Sequence, residues 1–325
     1  MGEARRILFL GCEGVQTLDL AGPMEVFATA NLEAGRAGHG GPLYEMVLLS
    51  PDDRPITSQA GLHLGPVVPR AAAGTADTLI VAGGSAAAVM GALAEPLFQD
   101  WLGAMPGRVR RVASICTGAF LLAAAGFLDG RRATTHWRSC RDLARLFPKV
   151  RVVPDAIFVA DPPFYTSAGV TSGIDLSLAM VEADHGAELA RAVARELVLF
   201  LRRPGGQSQF SAAQNLQAAA EPRIAALVRR LIEAPPAEGR VPALADAAGM
   251  SERTFQRKFH AATGQTPARF VEEARLSRAK ALLETSDLML DRLATEAGYG
   301  GRDGLYRAFQ KHLGLTPGEY RARFR

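Results

Sequence analysis

Short apolar runs alternate with amphipathic stretches over residues 6–200. Positions 7–10, 44–49, 78–81 and 111–115 are β-branched or apolar and end near a Gly, Pro, Ser or Cys, the pattern of buried strands. Residues 20–34, 118–128, 137–147, 174–184 and 188–201 carry apolar positions at helical spacing. Strand followed by helix, repeated, predicts a mostly parallel sheet covered on both faces. In such sheets ligands bind beyond the carboxyl ends of the strands.

The pattern changes after residue 201. The segment RRPGGQSQFSAAQNLQAAA (202–220) has a Pro-Gly-Gly break and then a polar, alanine-rich stretch without an apolar stripe, as in a linker. Beyond it, Ile224, Leu227, Val228, Leu231 and Ile232 share one helix face, and the rest of the chain has helical spacing with short breaks. The expected organisation is an α/β domain over residues 1–203, a linker over 204–222 and an all-α domain over 223–325.

The all-α part contains a repeat. Leu244-Ala-Asp-Ala-Ala-Gly249 returns as Leu293-Ala-Thr-Glu-Ala-Gly298, Arg257-Lys-Phe259 as Arg307-Ala-Phe309, and Gly264-Gln-Thr-Pro267 as Gly314-Leu-Thr-Pro317. Each copy reads as a short helix, a glycine turn and a second helix with apolar anchors at i and i+4, Phe255 and Phe259 or Leu305 and Phe309: helix-turn-helix chemistry. The anchors turn one face inward. Arg253, Gln256 and Arg257 in the first copy, and Arg302, Tyr306 and Arg307 in the second, are left free to enter a major groove. Arg can bond two acceptors of guanine and Gln can do the same with adenine. A single hairpin could equally be a small helical domain. Two copies joined by a helix over 268–283 favour double-stranded DNA as the partner.

Charge supports that reading by its distribution rather than its total of +4: residues 221–325 hold 18 Lys and Arg against 13 Asp and Glu, while the remainder holds 19 against 20. Three cysteines without a C-x-x-C pair suit a reducing compartment, so a cytoplasmic address is expected. The apolar run at 7–10 is too short for a signal-peptide core, and 120–128 falls well below the ~20 residues that span a bilayer, so no membrane association is expected. The six histidines have no ligand-like spacing, and neither a metal nor a cofactor is expected.

Over residues 223–325 the pattern G-M-S-x-R-T-F-Q-R-x-F, T-G-x-T-P, R-L-x-x-A-x-x-L-L and G-x-T-P-x-E-Y-R resembles the AraC/XylS family of transcription regulators. That resemblance implies two recognition helices in successive major-groove segments. The second copy departs from the pattern: Gly301 stands where a Ser cap is usual, and Gly304 lies inside the recognition helix, at a cost of ~1 kcal/mol relative to Ala. It is expected to bind less tightly or less specifically than the first.

In the α/β part, Arg111-Val-Ala-Ser-Ile-Cys116-Thr-Gly-Ala-Phe120 places a cysteine at a sharp strand-to-helix turn, as in a nucleophile elbow. The helix N-terminus is expected to favour thiolate, and backbone N–H groups could hold an oxyanion. The alternative is a small buried cysteine filling the junction. Residues 5–201 resemble the ThiJ/PfpI group of the class I glutamine amidotransferase-like fold, which implies a flavodoxin-like parallel sheet. The segments at 18–27, 116–118, 130–137 and 167–175 resemble the GlxA-like regulators, in which this fold precedes an AraC module. Catalytic PfpI-type members have a His directly after the Cys, whereas this chain has Thr117. The isonitrile hydratases resemble it more closely at Asp19, Cys116 and Thr117, which implies a cysteine nucleophile with Asp handling protons. Asp19 also reads as a carboxylate stabilised by a helix N-terminus, and His136 as a wall of the same pocket. The expectation is a ligand-responsive transcription regulator, sensing a small-molecule effector in the N-terminal domain and, by resemblance, dimerising through it. The alternative is a Cys-dependent hydratase or hydrolase tethered to DNA.

Overall fold

The apolar runs pair into a six-stranded sheet. The structure is a computed structural model and describes residues 4–199, 207, 221–236 and 238–324. Apart from Gln207, Glu221 and Pro222, the predicted linker lies outside the described residues. The chain divides into two compact units, Met1–Arg202 and Arg203–Arg325.

In the first unit β1 (Arg5–Leu10), α1 (Thr17–Arg36) and β2 (Tyr44–Leu49) are followed by a small hairpin of β3 (Ile56–Thr57) and β4 (His63–Leu64). Next come β5 (Thr78–Val81), α2 (Ala86–Leu93), α3 (Pro96–Gly103), β6 (Arg111–Ile115) and α4 (Gly118–Ala124). After these lie β7 (Arg132–Ala133), α5 (Cys140–Leu146), β8 (Arg151–Val152), β9 (Phe158–Asp161), β10 (Phe164–Ser167), α6 (Ser172–His185) and α7 (Ala187–Glu196). The sheet order is β2-β1-β5-β6-β10-β9. All neighbours are parallel except β9, which runs antiparallel to β10 at the edge. The five parallel strands follow the flavodoxin-like order, which reverses direction between β1 and β5.

Burial on both faces explains the unbroken apolar runs. In β1, Ile7 and Phe9 enter the core shared with α1, α6 and α7, while Leu8 and Leu10 enter the opposite core with α2, α3 and α4. The four predicted strands are present. The helix predicted over 118–128 stops at Ala124, before Gly126 at φ 77°, and the one predicted from 137 begins only at Cys140. Two helices, α2 and α3, and six strands, β3, β4 and β7 to β10, went unpredicted. α2 is alanine-rich and shows little contrast between faces, and β10 buries Thr166 and Ser167. Among the described residues no helix is long and apolar enough to cross a membrane.

The second unit is helical: α8 (Pro222–Glu233), α9 (Val241–Ala247), α10 (Glu252–Thr263), α11 (Pro267–Thr285), α12 (Leu290–Glu296), α13 (Arg302–Leu313) and α14 (Pro317–Phe324). It has two separate cores. Phe255 and Phe259 pack with α8, α9 and the start of α11, whereas Leu305 and Phe309 pack with α12, α14 and the far half of α11. The single helix α11 thus supplies Phe270 and Val271 to one core and Ala279 and Leu283 to the other. Its first turn is capped by Thr266, whose hydroxyl accepts from the Arg269 N–H, and Pro267 fills the position after the cap.

Candidate functional site

Cys116 occupies the turn between β6 and α4 with φ 56°, a left-handed conformation that costs a non-glycine residue about 1–3 kcal/mol. The surroundings hold it there. Its N–H donates to the Ser167 carbonyl (3.1 Å), and its own carbonyl accepts from the Thr135 hydroxyl (2.7 Å). A Cβ on Gly169 would come within 2.1 Å of the Cys116 Cβ, so only glycine permits that approach. The Thr117 hydroxyl donates to the Gly84 carbonyl (2.8 Å) and accepts from the Gly84 N–H (2.9 Å), tying the elbow to the loop after β5.

Asp19 sits in the first turn of α1 and is fully buried. Its Oδ1 accepts from the Val170 N–H at 2.7 Å, and Val170 itself has φ 51°. Its Oδ2 is buried without a well-formed hydrogen bond. Burial pushes the Asp19 carboxyl up to about 6, outweighing the opposite pull of the Val170 amide, the Cys116 thiol and the Gly83 amide. The same burial, reinforced by the Asp19 charge, pushes the Cys116 thiol up to about 12. This reverses the sequence expectation of a favoured thiolate. α4 has only seven residues, and its end is outweighed by desolvation and a neighbouring carboxylate.

Asp19, Cys116 and Thr117 therefore converge beyond the carboxyl ends of β1, β5 and β6. His136 is half-buried and follows Thr135, the residue whose hydroxyl donates to the Cys116 carbonyl. Its ring packs at a tilt on Trp137 (5.5 Å), and among the described residues it makes no polar contact with Cys116 or Asp19. Burial, and secondarily Arg138, lowers its pKa. Sequence reasoning missed the Val170 amide and the Thr135 hydroxyl. Only the Ser167-Ala-Gly-Val-Thr-Ser stretch, already singled out, hinted at the former.

In the helical unit the anchors Phe255, Phe259, Leu305 and Phe309 are fully buried, and the turn glycines Gly249 and Gly298 take φ 63° and 80°. On α10 the side chains of Arg253, Gln256 and Arg257 are all exposed. On α13, Arg302 and Arg307 are exposed and Tyr306 is half-buried. Arg302 donates to the Tyr306 hydroxyl (3.1 Å) and lies over its ring (5.2 Å to the centroid), so these two side chains are engaged with each other. Gly301 precedes α13 with φ 148°, a conformation that favours glycine over the Ser expected there.

Comparison with known proteins agrees with both halves. Residues 5–183 match the DJ-1/PfpI family and residues 244–323 match a helix-turn-helix domain. The HTH-type transcriptional regulator GlxA of Rhizobium meliloti is 29% identical over 329 residues, covering 98% of this chain and 96% of that protein. The isonitrile hydratase of Pseudomonas putida is 34% identical over 196 residues, covering 60% of this chain and 78% of the enzyme. A solved ThiJ/PfpI family protein from Pseudomonas syringae is 26% identical, with a TM-score of 0.53 over 62% of this chain and 78% of that one. The chain belongs to the DJ-1/PfpI family and carries an AraC-type helix-turn-helix domain at its C-terminal end.

Proposed function

We propose that this chain is a cytoplasmic, sequence-specific DNA-binding transcription regulator whose N-terminal unit senses a small-molecule effector and pairs with a second copy. The observation that carries the reading is the arrangement of α10 and α13. Each buries two apolar anchors and turns a basic, polar face to solvent, and both are mounted on one helix, α11. Arg253, Gln256 and Arg257, with Arg302, Tyr306 and Arg307, are assigned to the duplex. Asp19, Cys116, Thr117 and His136 are assigned to the effector pocket. The sheet's reversal point lies beside the first three, where this class of fold binds its ligands. Full-length regulators among the relatives, such as GlxA, support the same reading. Fluorescence-anisotropy titration against the chain's own upstream DNA should show tight, salt-sensitive binding. Binding unaffected by both Arg257→Ala and Arg307→Ala would sink the assignment.

A second reading is hydration or hydrolysis at Cys116. It is favoured by the convergence of Asp19 with the cysteine elbow and by the likeness to isonitrile hydratase. A carboxyl titrating near 6 can exchange protons at neutral pH. The raised thiol pKa disfavours a thiolate nucleophile at neutral pH. Iodoacetamide at pH 7 should label Cys116 slowly, and somewhat faster in Asp19→Asn, which removes the charge that helps keep the thiol protonated. Rapid labelling of the wild type that Asp19→Asn slows would instead support the enzyme.

A further inference from the structure

The helical unit contains a cleft of about 690 Å³ between its two helix-turn-helix halves. Its walls come from residues 238–240, from α11 and from α13. Four cations line it, Arg240, Arg275, Arg307 and Lys311, against two carboxylates, Glu238 and Glu272. Glu272 is already matched by Lys311 and His312, each at 2.9 Å, and Arg275 also donates to the Pro236 carbonyl at 2.6 and 3.1 Å. The cleft therefore keeps a cationic excess.

Tyr299 also lines the cleft. It is only 7% exposed, and its hydroxyl is buried without a hydrogen-bond partner. Buried hydroxyls are seldom left unpaired, and Tyr299 stands on the wall of a cationic cleft, so the acceptor its buried hydroxyl lacks is one that a ligand entering the cleft would bring. Gly304 lies on the same wall. A Cβ there would already stand 3.6 Å from the Tyr299 ring, so glycine keeps the phenol clear of any longer side chain. The residue that looks like a flaw in the second recognition helix is thus part of the opening.

We propose that this cleft is a phosphate site, with the Tyr299 hydroxyl donating to a phosphate oxygen and Arg240 and Arg307 flanking it. Arg307 also stands on the face assigned to DNA, and recognition helices in successive major-groove segments bring the intervening backbone past the space between them. A backbone phosphodiester and a free phosphate offer the same oxygens. The backbone alternative rests on the DNA-binding reading above; the free-phosphate alternative does not.

Two measurements on the full chain, each with Tyr299→Phe, separate the sources. If the backbone enters the cleft, Tyr299→Phe should bind specific and scrambled duplexes equally more weakly, by about 3- to 10-fold, and Arg240→Gln should reduce the salt slope by about one. If free phosphate is the ligand, inorganic phosphate at constant ionic strength and without DNA should raise the wild-type melting temperature by a few degrees, and Tyr299→Phe should abolish the shift. Unliganded Tyr299→Phe should melt no lower than wild type, because an unpaired hydroxyl is removed. The proposal is overturned if the variant melts several degrees lower, or if duplex affinity and the phosphate response both stay within twofold of wild type. Arg257→Ala discriminating between the two duplexes in the same assay keeps the DNA-binding reading standing even then.

Discussion

The two helix-turn-helix halves share one skeleton and differ on the surface it carries. Both bury their anchors completely, both turn at a glycine of positive φ, and both end their second helix at a left-handed glycine, Gly264 or Gly314. On α10 the three polar side chains assigned to the duplex are all exposed. On α13 Arg302 is folded onto Tyr306, the helix starts from a glycine conformation, and Gly304 leaves a gap. Fold and readout are therefore separable here. The apolar face is duplicated faithfully because each half must close its own core, whereas the solvent face is free to diverge.

The largest effect should come from breaking one skeleton without the other. Phe259 meets Phe255 at 5.3 Å and Phe270 at 5.4 Å, while Phe309 meets Tyr320 at 5.4 Å. Truncating either to Ala should cost about 3–5 kcal/mol, as for other buried aromatic residues. Because the two cores share no cluster residues, amide exchange in Phe259→Ala should accelerate over α8 to α10 and leave α12 to α14 comparatively protected. Uniform acceleration across both halves would show one cooperative core instead.

Readout should come next in size. Arg257→Ala is expected to cost about 1–3 kcal/mol at the specific site and to relax discrimination there. Arg307→Ala should cost less and act similarly on specific and scrambled duplexes. Equal, sequence-selective losses from the two substitutions would remove the asymmetry. Tyr306→Phe takes away the acceptor that holds Arg302 and leaves only the ring beneath its guanidinium. If that pair withholds Arg302 from DNA, binding should tighten slightly; weaker binding would place the hydroxyl itself on the duplex.

What was legible in the sequence follows the same division between skeleton and surface. Strands buried on both faces are mostly apolar, so β1, β5 and β6 were readable; β2, at the sheet edge with Glu45 exposed, was readable from its apolar stretch at 46–49, and the repeat exposed both pairs of anchors. α2 was not, because a helix of alanines has no polar face to contrast. β10 was not, because it buries Thr166, whose hydroxyl accepts from the Thr134 N–H in a partnership made only by the fold. In the cysteine site, the residues were readable through family resemblance but their electrostatics were not. The carboxylate that counters α4's end comes from a residue 97 positions earlier, and the burial that dominates both groups is a property of the packed sheet. Arg302 and Tyr306 were read as independent DNA contacts; their spacing of four on a helix was the available signal that they would find each other.

The smallest expected effect tests whether Gly304 is merely tolerated or keeps the cleft open. A Cβ at position 304 meets only Tyr299, its Cδ1 at 3.6 Å and its Cβ at 3.7 Å, which is ordinary contact. Gly304→Ala should therefore stabilise α13 by up to ~1 kcal/mol through helix propensity alone, read as a higher melting temperature of the second half. If the glycine is merely tolerated, that gain should come with unchanged or better DNA binding. If it keeps the cleft beside Tyr299 open, a longer side chain should reverse the balance. Gly304→Leu, with nearly the same helix propensity as Ala, should keep the helix and lose phosphate or duplex affinity as Tyr299→Phe does. A leucine at 304 that binds as well as alanine would return the second half to the status of a weaker copy of the first.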